Sequence, residues 1–144
     1  LQAPWIFKFA FAPLVDFIGR KKTWIVVAQV VLAVFFAFLA ATTMSPSPVS
    51  LGIMALGLIA VASAVHDVSI DGYYLEALNK SEQALFVGVR NTAFRMAMIF
   101  GNGAMIFLAG WLAQQGLKRQ EGWLIAFAVL TAVMAAAAAL HIWY

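Results

Sequence analysis

Nothing constrains this chain more than the absence of charge over long stretches. From residue 23 to residue 65 there is no Asp, Glu, Lys, Arg or His, and the longest polar interruption is a short segment at 43–50 with Pro46 and Pro48. A helix needs about 20 mostly apolar residues to cross the hydrocarbon core of a bilayer. Two such segments therefore fit on either side of the proline-containing turn. Composition agrees. Of the 144 residues 65% are hydrophobic and 10% charged, with a mean hydropathy of +0.94, whereas soluble domains are about half apolar and a quarter charged. A soluble globular domain and a disordered chain are both excluded, which leaves lipid as the solvent. With no cysteine there is neither a disulfide nor a thiolate metal site. A net charge of +3, scattered along the chain, does not point to nucleic acid.

Extending the same reading gives five spans, at 1–18, 24–42, 51–77, 84–114 and 122–143, joined by connections too short to hold a soluble domain. The expected class is all-α, a polytopic helical membrane protein. Backbone amides in lipid are satisfied only in helices or closed barrels, and no segment alternates with the period of two that barrel strands require. The chain starts at Leu1 without Met or a charged leader, so a piece of a longer protein is expected. Arg20, Lys21, Lys22 and Lys80 lie on one side, against Lys118 and Arg119 on the other. This asymmetry places the loops at 19–23 and 78–83 in the cytoplasm.

Ionisable residues inside the spans carry the functional information, because each costs a few kcal/mol at depth and tends to face a bundle interior or a watery cavity. The first span holds Lys8; the third His66, Asp67 and Asp71; the fourth Arg90 and Arg95. The second has none, and the fifth has only His141 near its end. The second and fifth helices are thus expected on the outside, toward lipid. His141 is expected to be an interfacial anchor beside Trp143 and Tyr144. From the helical rise of 1.5 Å, Lys8, Asp67 and Arg95 lie roughly 12 to 16 Å from their helix ends, near the midplane. Asp67 and Asp71 share a helix face. Arg90 and Arg95 point about 140° apart, and Asn91 and Asn102 share the face of Arg95. The expected pairing is Asp67 with Arg95 or Lys8. A structural clamp between helices would use the same residues, but buried ion pairs bring little net stability, and intramembrane carboxylates mark proton or substrate paths. Gly52, Gly57, Gly101, Gly103, Gly110 and the alanines at 135–139 are expected to permit close helix packing.

One local pattern is specific. The stretch 12–22, Ala-Pro-Leu-Val-Asp-Phe-Ile-Gly-Arg-Lys-Lys, resembles the signature between the second and third helices of major facilitator superfamily transporters. It keeps Leu14, Asp16, Gly19, Arg20 and Lys21 of that pattern and departs at Ala12, Phe17 and Thr23. Further along, Phe7-Lys8-Phe9, Trp24, Gln29, the segment His66-Asp67-Val68-Ser69-Ile70-Asp71-Gly72-Tyr73, and Phe94-Arg95-Met96 are together similar to AmpG-type muropeptide permeases and the related acetyl-coenzyme A transporters. His66 stands where those proteins usually have Gln.

The resemblance implies helices two to six of a twelve-helix transporter in the inner membrane of a bacterium. It also implies proton-coupled import by alternating access between two halves that rock about a midplane site. On that reading Asp67 or Asp71 takes the coupling proton and pairs with Lys8 or Arg95. His66, Tyr73, Asn91, Arg95 and Trp5 are candidate substrate contacts, with Phe94 as a further ring contact. Asp16, Gly19, Arg20 and Lys21 form the gating motif. The implied partners are a small solute, protons, the bilayer and the rest of the chain, with no cofactor and no metal. Acetyl-coenzyme A or another sugar or anion is the alternative cargo. Two rivals from other classes are a Mg²⁺-dependent intramembrane prenyltransferase built on Asp67-x-x-x-Asp71 and a purely structural membrane subunit.

Overall fold

The computed structural model describes residues 11, 13, 15, 17 and 19–144, and among these every regular element is helical. The elements are α1 (Lys21–Thr42), α2 (Pro48–Ala77), α3 (Lys80–Ile99), a π-helical segment (Phe100–Ala104), α4 (Met105–Gln114) and α5 (Arg119–Trp143). With α3, the π segment and α4 taken as one rod, four helical segments of 22 to 35 residues are long and apolar enough to cross a membrane. Of the first expected span only residues 11, 13, 15 and 17 are described; all are helical, with Val15 buried and Phe17 exposed.

Each of the four rods starts about one turn before its expected boundary. Lys21, Pro48, Lys80 and Arg119 all belong to the first helical turn, because charged and proline residues that stop an apolar run do not stop a helix. Local chemistry closes the ends. Gly19 adopts φ +79°, a left-handed conformation that L side chains rarely take, and turns the chain into α1. At the far end of α1, the hydroxyls of Thr42 and Thr43 donate to the carbonyls of Leu39 (2.7 Å) and Ala40 (2.8 Å), adding to the bonds that close the last turn. Asn79 caps α3 by accepting from the amides of Ser81 (3.1 Å) and Glu82 (3.0 Å), while Glu82 accepts from the Asn79 amide (2.8 Å).

Packing is centred on α1, which lies against both α2 and α5. Leu32 and Leu39 interlock with Ala55, Ile59 and Ala62 of α2, and Phe127 and Met134 of α5 close over them. A second cluster joins Met105 and Ala109 of α4 to Ala126 of α5. Alanines at 55, 62, 109 and 126 sit among these larger side chains and let the helix backbones approach. The second span was expected on the outside, yet α1 is the most buried of the four rods. A charge-free helix suits an apolar neighbour as well as it suits lipid, so lack of charge does not distinguish the two.

Of the glycines expected at helix contacts only Gly52 has a neighbour, the Thr42 hydroxyl, 3.9 Å from where its β-carbon would be. A side chain added at Gly57, Gly101, Gly103 or Gly110 would meet nothing within 4 Å, whereas at Gly122 it would stand 2.7 Å from the Ala109 carbonyl oxygen. Gly101-Asn102-Gly103 lies instead within the π segment, where the rod changes character. The helix before it, α3, buries no residue, while α4 beyond it packs on α5. Gly122→Val should therefore separate α4 from α5, costing about 1–3 kcal/mol as other overpacked sites do. Thermal melting of the detergent-solubilised protein would show a lowered midpoint, with Gly110→Ala unchanged; equal midpoints for the two would contradict the contact.

Candidate functional site

The polar side chains gather where the end of α2 meets the starts of α1 and α3. Lys21, in the first turn of α1, reaches Glu76 in the last turn of α2 with Nζ to Oε1 at 2.6 Å, and its own side chain is only 15% exposed. The lysine stem crosses Gly72, where a β-carbon would lie 2.9 Å from Cε. Gly72 is thus what lets the lysine lie flat across α2. Around this pair Gly19, Arg20, Lys21, Lys22, Tyr73 and Glu76 line a cleft of about 360 Å³. Gly19, Arg20 and Lys21 of the expected gating motif stand together here; Asp16 lies outside the described residues, as do Lys8 and Trp5. Tyr73, expected as a substrate contact, faces this end cleft.

One turn deeper, Arg90 of α3 forms an ion pair with Asp71 of α2 and sits over the ring of Tyr74, 5.6 Å from its centroid. The Tyr74 hydroxyl donates to the Gln83 carbonyl, and the Gln83 side-chain amide donates to the Leu78 carbonyl at 2.8 Å. These polar contacts hold the α2–α3 hairpin, since α3 contributes no buried apolar residue. The pair has side chains 44% and 40% exposed.

The expected partner of Asp67 was Arg95 or Lys8; no contact joins Asp67 to Arg95, and Lys8 lies outside the described residues. Geometry explains the exchange. Long helical side chains lean toward the N-terminus of their own helix, so Arg90 reaches back toward the turn and meets Asp71. Arg95, five residues farther along, points about 140° away from Arg90 around α3 and so away from the aspartate face of α2. Arg95 and its neighbour Asn91 are exposed, and Arg95 has neither an ion pair nor a hydrogen bond among the described residues. Asp67 is half-buried. His66, on the preceding position, has its Nε2 buried with no hydrogen-bond partner among the described residues, a costly state for a polar atom away from water.

His141 is exposed near the end of α5, beside exposed Trp143 and Tyr144, and its Nδ1 lies 3.0 Å from Oε1 of Gln29, which is 4% exposed on α1. The signal was present in the sequence, since Gln29 is the one strongly polar side chain in the charge-free run of α1. Sequence reasoning also missed the Lys21–Glu76 and Arg90–Tyr74 contacts, although both join residues near adjoining ends of consecutive antiparallel helices.

No family model matches the chain, and no solved structure matches it. A protein of Haemophilus influenzae described as "Uncharacterized protein" is 31% identical over 114 residues. The match covers 76% of this chain and 27% of that protein, so the chain spans about a quarter of the length of the relative.

Removing Asp71 takes from the Arg90 guanidinium the carboxylate it is paired with, and removing Arg90 breaks the same contact between α2 and α3. Asp71→Asn and Arg90→Met should each lower the melting midpoint. The double variant should lose less than the sum, by a coupling of about 0.5–3 kcal/mol, as for residues in direct contact. Strict additivity in that double-mutant cycle would show that the two charges do not act together.

Proposed function

We propose that this chain forms most of the amino-terminal half of a major facilitator-type secondary transporter in the inner membrane of a bacterium, importing muropeptide-like sugar-peptide solutes together with protons. The single observation that carries this reading is the Asp71–Arg90 pair, which joins two long apolar helices that have little else to hold them together. Ionisable side chains within apolar membrane spans are costly and tend to face a bundle interior or a watery cavity. They are useful when the pair must open and close.

The residues suggest how. Protonation of Asp71, or of Asp67 on the same face, removes the charge that holds Arg90 and frees its guanidinium. Arg95 and Asn91, on the neighbouring turns of α3, then offer a cation and an amide to the carboxylates of a peptide-bearing sugar. Lys21 of the gating motif, paired with Glu76 at the helix ends, changes partners as the halves rock. An anionic cargo of another kind, such as an acetyl-coenzyme A, would use the same guanidinium groups. A structural clamp would leave transport indifferent to neutralisation of the aspartates.

The test is uptake of labelled anhydromuropeptide by the full-length protein in proteoliposomes, with and without an inward proton gradient. Gradient-driven uptake that falls at least tenfold in normally inserted Asp67→Asn or Asp71→Asn supports the reading. Uptake that ignores both the gradient and the two substitutions contradicts proton coupling, and no uptake by the folded protein removes muropeptides as the cargo.

A further inference from the structure

The seam between α1 and α2 carries a second feature that the transport reading does not use. On α1, Trp24, Val31 and Phe35 follow one another at spacings of seven and four. On antiparallel α2, Val65 and Leu58 are seven apart, with Val61 between them. Together these residues line a wholly apolar groove of about 300 Å³. From Trp24 to Phe35 is eleven residues, about 16 Å of helix, and half of a hydrocarbon core of about 30 Å is one leaflet. The groove is one leaflet deep.

The same two faces continue into the polar cleft at the helix ends. Gly72 is seven residues beyond Val65 and Glu76 four beyond that, while Arg20 and Lys21 precede Trp24 by one turn. Glu76 is held by Lys21. Exposed Arg20 and half-buried Lys22 make no ion pair among the described residues, and the first turn of α1 contains no acid. The seam thus has at its mouth two cations that form no ion pair among the described residues, Trp24 at the level where indole rings meet headgroups, and a hydrocarbon-lined groove below.

We infer that this seam is a binding site for one anionic phospholipid of the leaflet that meets the Arg20–Lys22 end, with its phosphate on Arg20 and Lys22 and one acyl chain in the groove. Charge selects the headgroup, because basic pockets between membrane helices attract anionic lipids. Depth selects the chain. A neighbouring helix would follow α1 and α2 along their whole length, whereas this groove stops at Phe35 and Leu58, where an acyl chain of one leaflet also stops. The inference rests on the chain crossing a bilayer but not on what it transports.

The experiment is native mass spectrometry of the delipidated full-length protein, titrated with palmitoyl-oleoyl phosphatidylglycerol and, separately, with the phosphatidylcholine of the same chains. Phosphatidylglycerol should be retained at least tenfold more tightly. In Arg20→Ala/Lys22→Ala the advantage should fall roughly thirtyfold or to nothing, at about fivefold for each basic residue near the surface. Val61→Trp, which fills the groove, should weaken both lipids. Lys22→Ala alone, at the rim of the cleft, should give a partial loss without disturbing the fold. Soluble glycerol phosphate at millimolar concentration should not compete. Equal retention of the two lipids, indifference to Val61→Trp in a folded sample, or full competition by glycerol phosphate would overturn the proposal. The last result would make the cluster a site for free phosphate esters. None of these outcomes depends on uptake, so a failed lipid site and a failed transport assignment remain separate results.

Discussion

An apolar medium gives a charge two options, a partner or a path to water, and the arrangement of these helices follows from that constraint. Where the chain has no charge, along α1, it places the helix that packs on two neighbours, with Leu32 and Leu39 set among alanines of α2 and aromatic and methionine side chains of α5. Where it has charge, at the end of α2 and along α3, it builds ion pairs and leaves apolar packing aside. The Asp71–Arg90 pair, the Tyr74 ring under the guanidinium and the Tyr74–Gln83 hydrogen bond do for this hairpin what Leu and Ala do for the α1–α2 seam.

Much of this was legible from residue order. The helical class, the positions of four rods to within about one turn, and the concentration of acid and base in the third and fourth spans all follow from counting uncharged residues and from the helical rise. The partners did not follow. Asp67 and Arg95 match in estimated depth when each is measured from its own helix end, yet Arg90 meets Asp71 because a long side chain leans back toward the turn, which a depth estimate on Cα positions ignores. The peripheral place assigned to α1 failed for a different reason: the absence of charge identifies an apolar surrounding without saying whether it is protein or lipid. Glycine was ambiguous in the same manner. Gly122 and Gly72 are the positions where another group comes within 3 Å of a would-be side chain, and nothing in their local sequence separates them from Gly57 or Gly110, which meet nothing.

The two polar tiers have distinct consequences. The outer one, Lys21 with Glu76 over Gly72, ties α1 to α2 at their shared end. The inner one, Asp71 with Arg90, ties α2 to α3. Between Arg90 and the π segment at 100–104, α3 presents Asn91 and Arg95 without an ion pair among the described residues, and beyond that segment the rod is locked to α5 through Ala109 and Gly122. A rod fixed at one end, unpacked at the other and interrupted between by Gly-Asn-Gly has the mechanical form that a moving wall of a solute path requires. The proposed transporter reading gives each of these features a use.

On the proposed transporter reading, the face of α3 bearing Asn91 and Arg95 looks onto water and not onto lipid. Since the chain contains no cysteine, single cysteines at 91, 95, 27 and 34 in a cysteine-free full-length protein can be exposed in native membranes to a membrane-impermeant thiol reagent. The account predicts rapid modification at 91 and 95 and none at 27 and 34, which lie on exposed apolar positions of α1. Positions 91 and 95 as inert as 27 and 34 would contradict it.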